Sequence, residues 1–136
     1  MTHIKYKEGY KYQLAEDYQL LTSIMPKEGT GNDFVWLGKS GLLVVKKGYA
    51  WDGPSGPTFD TRDAMRGSLV HDAFYQLMRE GFLPKERRAD ADQVFLECLL
   101  ADGMLPIRAA AWFAGVRLGA GAAADASSIH PILTAP

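Results

Sequence analysis

A histidine and an aspartate stand side by side at His71 and Asp72, a tyrosine follows at Tyr75, and a further carboxylate stands 20 residues beyond Asp72 at Asp92. Imidazole is the side chain suited to take up and return a proton near neutral pH. A carboxylate bonded to one ring nitrogen fixes the tautomer and leaves the other nitrogen free to accept a proton from water. Adjacent positions on a helix point about 100° apart. His71 and Asp72 would therefore aim at two sides of a shared cleft, one handling a proton and the other holding a cation. Upstream, Asp52-Gly53-Pro54-Ser55-Gly56-Pro57-Thr58 forms a loop whose glycines and prolines leave carbonyl oxygens unpaired. The Gly53 carbonyl and its neighbours, with the carboxylates of Asp52 and Asp72, make an all-oxygen set that suits a hard cation such as calcium better than zinc. Such an ion would polarise an ester carbonyl and stabilise the oxyanion formed by attack of water.

These groups need helices to hold them, and the sequence supplies three. Two prolines and two glycines exclude helix or central strand from the loop. After it the apolar period changes from two to about 3.6. Asp60 or Thr61 is placed to cap a helix running to about Glu80, with Gly81 to end it. A second helix is expected from Pro84 or Lys85 to Leu100, stopped by Asp102-Gly103, and a third from Pro106 to Gly119. On the first, Ala64, Gly67, Ser68, His71, Tyr75 and Met78 share a stripe, and Gly67, one turn before His71, leaves room for something to approach the imidazole. On the second, Ala91, Val94, Phe95, Cys98 and Leu99 make the buried face. Asp92 lies at its edge and needs a partner, since burying a carboxylate unpaired is costly. An imidazole N–H or a tyrosine hydroxyl from the first helix would serve.

The first fifty residues read as strands. Tyr18–Ile24 is bounded by Pro26 and a turn cluster, and Phe34–Leu37 and Leu42–Val45 flank the hairpin signal Gly38-Lys39-Ser40-Gly41. Gly38-Lys39-Ser40 mimics the end of a phosphate loop, but the required upstream glycine falls on Asp33 and no helix pattern follows. The expected fold is α+β: an N-terminal hairpin or small antiparallel sheet followed by three helices. A single domain is expected over residues 1–120, with an Ala/Ser/Pro-rich tail over 121–136 loosely held.

A net charge of −1 offers no electrostatic case for nucleic-acid binding. The one basic cluster, Lys85, Arg87 and Arg88, is interleaved with acids and reads as a solvated helix start. The lone cysteine, Cys98, allows no intrachain disulfide, which fits a reducing compartment. The chain opens into polar sequence, so classical secretion is not expected. Its most apolar stretch, Ala109 to Ala124, is interrupted by Arg117 and falls short of a span of about 20 residues. It reads as a packed helix, with no transmembrane segment.

Three pieces carry a resemblance to known families: the Asp52–Thr58 loop, His71-Asp72-Ala73-Phe74-Tyr75, and Ala91-Asp92-Gln93-Val94-Phe95. Over nearly the whole chain the pattern resembles a domain family encoded by phages and prophages, which implies a phage-associated origin and no assigned activity. More distantly, residues 50 to 100 resemble secreted calcium-dependent phospholipases A(2), whose pattern is a calcium loop, a His-Asp-x-x-Tyr helix, and an Asp about twenty residues later. That resemblance implies that His71 is the general base, that Asp92 orients it, and that Tyr75 bonds Asp92. It also implies calcium held by Asp72, Asp52 and loop carbonyls such as that of Gly53. With one cysteine the disulfides of those enzymes have no counterpart here, a signal peptide is not expected, and the β-rich front is not matched.

Two functions from different classes follow. One is a calcium-dependent lipid-ester hydrolase using the His/Asp pair, with a lipid surface as its partner. The other is a non-catalytic phage tail or baseplate component, partnered by other virion proteins, in which the same residues hold helices together. A hydrolase with another metal or with cell-wall substrate is a third. The expected location is the host cytoplasm on synthesis, and then the virion.

Overall fold

The computed structural model describes residues 4, 6–7, 12–51 and 62–119. Asp52, Gly53, the rest of the Gly/Pro loop, the cap candidates Asp60 and Thr61, and the tail lie outside the described residues. Among the described residues the order is seven strands and then three α-helices: β1 (Tyr6–Lys7), β2 (Tyr12–Leu14), β3 (Tyr18–Leu21), β4 (Thr30–Gly31), β5 (Val35–Leu37), β6 (Leu42–Val45), β7 (Ala50–Trp51), α1 (Arg62–Arg79), α2 (Arg88–Ala101) and α3 (Pro106–Gly119). This is the α+β arrangement expected, with two antiparallel sheets in place of one: β1-β2-β7, and β3-β6-β5-β4.

The larger sheet obeys the period of two. Val35 and Leu37 on β5 pair with Val45 and Leu43 on β6, and all four are buried, while Trp36 between them faces out. The β5–β6 turn closes with Gly38 N–H donating to the Leu42 carbonyl at 2.8 Å and Gly41 N–H to the Gly38 carbonyl at 2.9 Å. Gly41 has φ +92°, and a Cβ there would stand 2.2 Å from the Thr22 carbonyl oxygen. Only glycine fits that turn.

α1 packs against α2, shares the main core with residues of the strands and is buried on nearly every side, from Ala64 to Met78 with Asp72 the exception. A helix so enclosed must satisfy its polar side chains internally. Arg66 does so through Asp102 at 3.0 Å and the Tyr18 hydroxyl at 2.9 Å. Ser68 accepts from the Trp51 indole at 3.1 Å and donates to the Met65 carbonyl at 2.8 Å. The helix ends at Gly81, φ +83°, whose N–H returns to the Met78 carbonyl while Phe82 N–H reaches Leu77.

α2 is preceded by a 3-10 turn at Lys85–Arg87, which carries its start a few residues past the expected Pro84 or Lys85. α3 spans Pro106 to Gly119, and its Ala109 and Trp112 join Ala64, Phe95, Leu99 and Met104 in a second core cluster. Much of the rest of α3 faces out, Ile107 and Leu118 included, so it is less fully packed than its composition suggests. No helix among the described residues is long and apolar enough to cross a membrane.

The space at Gly67 is not an opening toward His71. A Cβ there would meet Leu99 Cδ2 and Phe95 Cδ1, each at 3.2 Å, so the missing side chain lets α2 approach α1. Gly67→Leu is therefore expected to force the two helices apart and to destabilise the fold by about 1–3 kcal/mol. Urea unfolding measures this directly; a variant as stable as the parent would contradict the close approach.

Candidate functional site

The centre of the site is Asp92, buried to 0% exposure on the first half of α2. A carboxylate so placed has no water to solvate it and must find donors on both oxygens. Oδ1 lies 2.8 Å from His71 Nε2 and accepts the Tyr75 hydroxyl at 2.6 Å. Oδ2 accepts Arg117 Nη1 at 2.8 Å. His71 and Tyr75 are four residues apart on α1 and so share a face, with ring centroids 4.1 Å apart. α2 brings Asp92 and Phe95, and the Phe95 ring stands 5.0 Å from the imidazole. α3 brings Arg117. The geometry expected of His71, Asp92 and Tyr75 is thus present, with both α1 candidates on one oxygen instead of one alone.

Charge decides the proton positions. Burial alone would push the Asp92 carboxyl up, but hydrogen bonds from His71, Tyr75 and Arg117 overcome it and hold the group below its ordinary value. Tyr75 moves the opposite way: burial, together with the hydrogen bond to Asp92 and its charge, raises the phenol, so its hydroxyl keeps its proton and donates. An ionised carboxylate can only accept. The hydrogen at His71 Nε2 therefore belongs to the ring, and in the neutral imidazole Nδ1 carries the lone pair. Among the described residues Asp92 is the hydrogen-bond partner of that ring, and His71 keeps 8% of its surface open. Among the described residues the imidazole is flanked by Tyr75, Phe95 and Asp92 and keeps a narrow exposed edge.

Asp72 is half-buried and engaged by other groups. Of the three residues expected to bind metal it is the one that is described; Asp52 and Gly53 are not. Among the described residues no group of three or more His, Cys, Asp or Glu side chains is placed to hold a metal ion. A cleft of about 680 Å³ between residues 25–30 and 82–87 includes none of the predicted site residues.

Two residues of the site were not anticipated. Arg117 registers in the sequence merely as a charge interrupting an apolar stretch, and Arg88 as part of a solvated cluster. Arg88 is not solvated in that way: Nε donates to the Tyr75 hydroxyl at 3.2 Å and Nη2 to the carbonyls of Val116 (3.3 Å) and Arg117. One clue was available: an arginine in the last turn of an Ala-rich helix suits the carbonyl-rich helix terminus, yet nothing local announces its partner.

The depressed Asp92 carboxyl makes stability depend on pH. Its contribution is fully present above the ordinary carboxylate value of 3.8 and is lost as pH falls through the lower folded-state value. Denaturant unfolding at descending pH should show the parent losing stability more steeply below that value than Asp92→Asn. Near neutral pH, Asp92→Ala should cost about 1–3 kcal/mol for the donors left unsatisfied. Parallel pH profiles for parent and Asp92→Asn would contradict the ionised, buried carboxylate.

No curated protein and no solved structure matches the chain. The sequence profile of a family described as "Protein of unknown function (DUF1353)" matches residues 30–116. That span runs from β4 into α3 and takes in His71, Asp72, Tyr75, Arg88 and Asp92. The chain belongs to the DUF1353 family.

Proposed function

We infer that the chain is a phage-associated hydrolase of lipid esters in which His71 is the general base. The observation that supports this reading is the pairing of His71 Nε2 with a buried, ionised Asp92. With Nε2 committed, Nδ1 draws a proton from water as the oxygen attacks the ester carbonyl carbon. The tetrahedral oxyanion collapses, the carbon–oxygen bond to the alcohol breaks, and the Nδ1 proton passes to the leaving alkoxide. Acid and alcohol leave, and the ring returns to its starting state. General-base assistance of this kind is worth about 10²–10⁴ in rate. Asp92 orients the ring and stabilises the imidazolium, and Tyr75 holds the carboxylate through a hydroxyl that stays protonated.

Calcium, if bound, would supply the charge that stabilises the oxyanion. Asp72 alone does not make such a site, and the described residues do not fit one without the loop. The proton transfers above therefore rest on His71, Asp92 and Tyr75. The phage setting and a lipid surface as partner rest on the sequence resemblance.

A second reading has an observation of its own. Arg117 and Arg88 tie the same cluster to α3, so the network also joins three helices, as a non-catalytic virion component would require. His71→Gln separates the two. An amide can still donate to Asp92 but cannot serve as a base, so fatty-acid release from phosphatidylcholine vesicles should vanish while the melting temperature changes little. Asp72→Asn should weaken activity and calcium binding together, and calcium should raise the parent's melting temperature over that in chelator. No release of fatty acid, no calcium shift and a strongly destabilised His71→Gln would leave the structural reading standing.

A further inference from the structure

Arg117 is the one group of the cluster that comes from α3, and it acts on the oxygen of Asp92 that His71 does not touch. Its side chain is 36% exposed where that of Asp92 is fully buried, so this guanidinium links the buried carboxylate to the surface. The end of α3 is itself held. Arg88 Nη2 donates to the carbonyls of Val116 and Arg117, and its Nε donates to Tyr75. Two arginines thus converge on one carboxylate, one directly and one by fixing the backbone from which the first projects.

Consider the cluster without the Arg117 donor. Oδ2 would be buried and unpaired, and a carboxyl in that position holds its proton. A protonated carboxyl is a donor. It would take one proton from solvent and direct it at His71 Nε2, which must then carry the lone pair. The hydrogen of the neutral ring would move to Nδ1, and the basic nitrogen would point at Asp92.

We propose that Arg117 is a positioning residue for His71: its guanidinium, brought in by α3, keeps Asp92 a hydrogen-bond acceptor and so leaves Nδ1 as the free basic nitrogen of the imidazole. This deepens the general-base reading of His71 and rests on it for its catalytic meaning. The base is assembled from all three helices, and a chain in which α3 is undocked has its imidazole in the wrong tautomer.

The tautomer is read by ¹⁵N NMR of the full chain, at a pH where the ring-nitrogen shifts no longer change on adding base and the neutral ring is observed. In the parent, His71 Nε2 should resonate as a protonated nitrogen and Nδ1 as an unprotonated one. In Arg117→Gln, Nδ1 should shift toward the protonated position. Arg117→Lys keeps the charge without the planar fork and should shift in the same direction by less. Arg108→Gln is the control: it removes the α3–α1 ion pair to Asp63 at 3.2 Å, away from Asp92, and should leave the tautomer as in the parent.

A parent ring protonated at Nδ1 overturns the proposal. So does either Arg117 variant that folds and keeps the parent tautomer, and the Lys variant decides alone if the Gln variant does not fold. An equal shift in Arg108→Gln would trace the effect to looser helix packing and overturn it as well. The readout needs no turnover, so a chain that hydrolyses no ester leaves this assignment intact while ending the hydrolase reading.

Discussion

A carboxylate with no access to water is the constraint on which the helical half of this protein depends. Asp92 sits on α2 at a point where two other helices converge, and it can be ionised there only if each brings a donor. α1 supplies His71 and Tyr75, and α3 supplies Arg117. The arrangement defines how the helices meet more narrowly than apolar contact would. Leu99 and Phe95 could slide against α1 at modest cost, whereas three hydrogen bonds to two oxygens have directions and lengths to keep. Specificity of this kind costs desolvation, and such networks are often no more stable than an apolar replacement.

The enclosure of α1 extends the same logic to the rest of the fold. A helix buried on nearly all sides is ordinarily apolar all round, yet this one carries Arg66, Ser68, His71 and Gln76 inward. Each meets a different neighbour: Asp102 and Tyr18 for Arg66, Trp51 for Ser68, Asp92 for His71, and Glu80 for Gln76. Glu80 in turn accepts from Asn32 in the β4–β5 connection. α1 is therefore tied to both sheets and to α2 by polar contacts as well as by its apolar residues. Cys98 lies in the same interior, where burial pushes its thiol up to about 11.

The parts of this structure legible in the sequence are those governed by local chemistry. The hairpin at Gly38–Gly41, the stop at Gly81, the span of α3 from Pro106 to Gly119 and the buried face of α2 each follow from residues within one or two turns. The need of Asp92 for a partner was legible too, because a carboxylate at the margin of an apolar face must find a donor, and the phospholipase-like pattern pointed to His71 as that donor. The two-residue strands β1, β4 and β7 carry too few side chains to show a period, and a second sheet was accordingly not foreseen. Gly67 was misread because a glycine makes room in every direction, and only the packing of α2 determines what fills it. Arg117 escaped notice because its partner lies 25 residues away and its meaning is entirely tertiary.

The three tryptophans occupy three different surroundings, and the molecule carries its own optical probes as a result. Trp36 stands on the outer face of the larger sheet, 44% exposed, with its ring lying over Gly29. Trp51 is buried at the edge of the smaller sheet with its indole N–H held by Ser68. Trp112 is buried on α3 with its ring centroid 6.4 Å from that of Phe95, which in turn flanks His71. Red-shifted emission from Trp36 and blue-shifted emission from the other two would separate spectrally. The indole of Trp112 thus sits one ring away from the imidazole, and its fluorescence would register the departure of α3 before the sheets had changed.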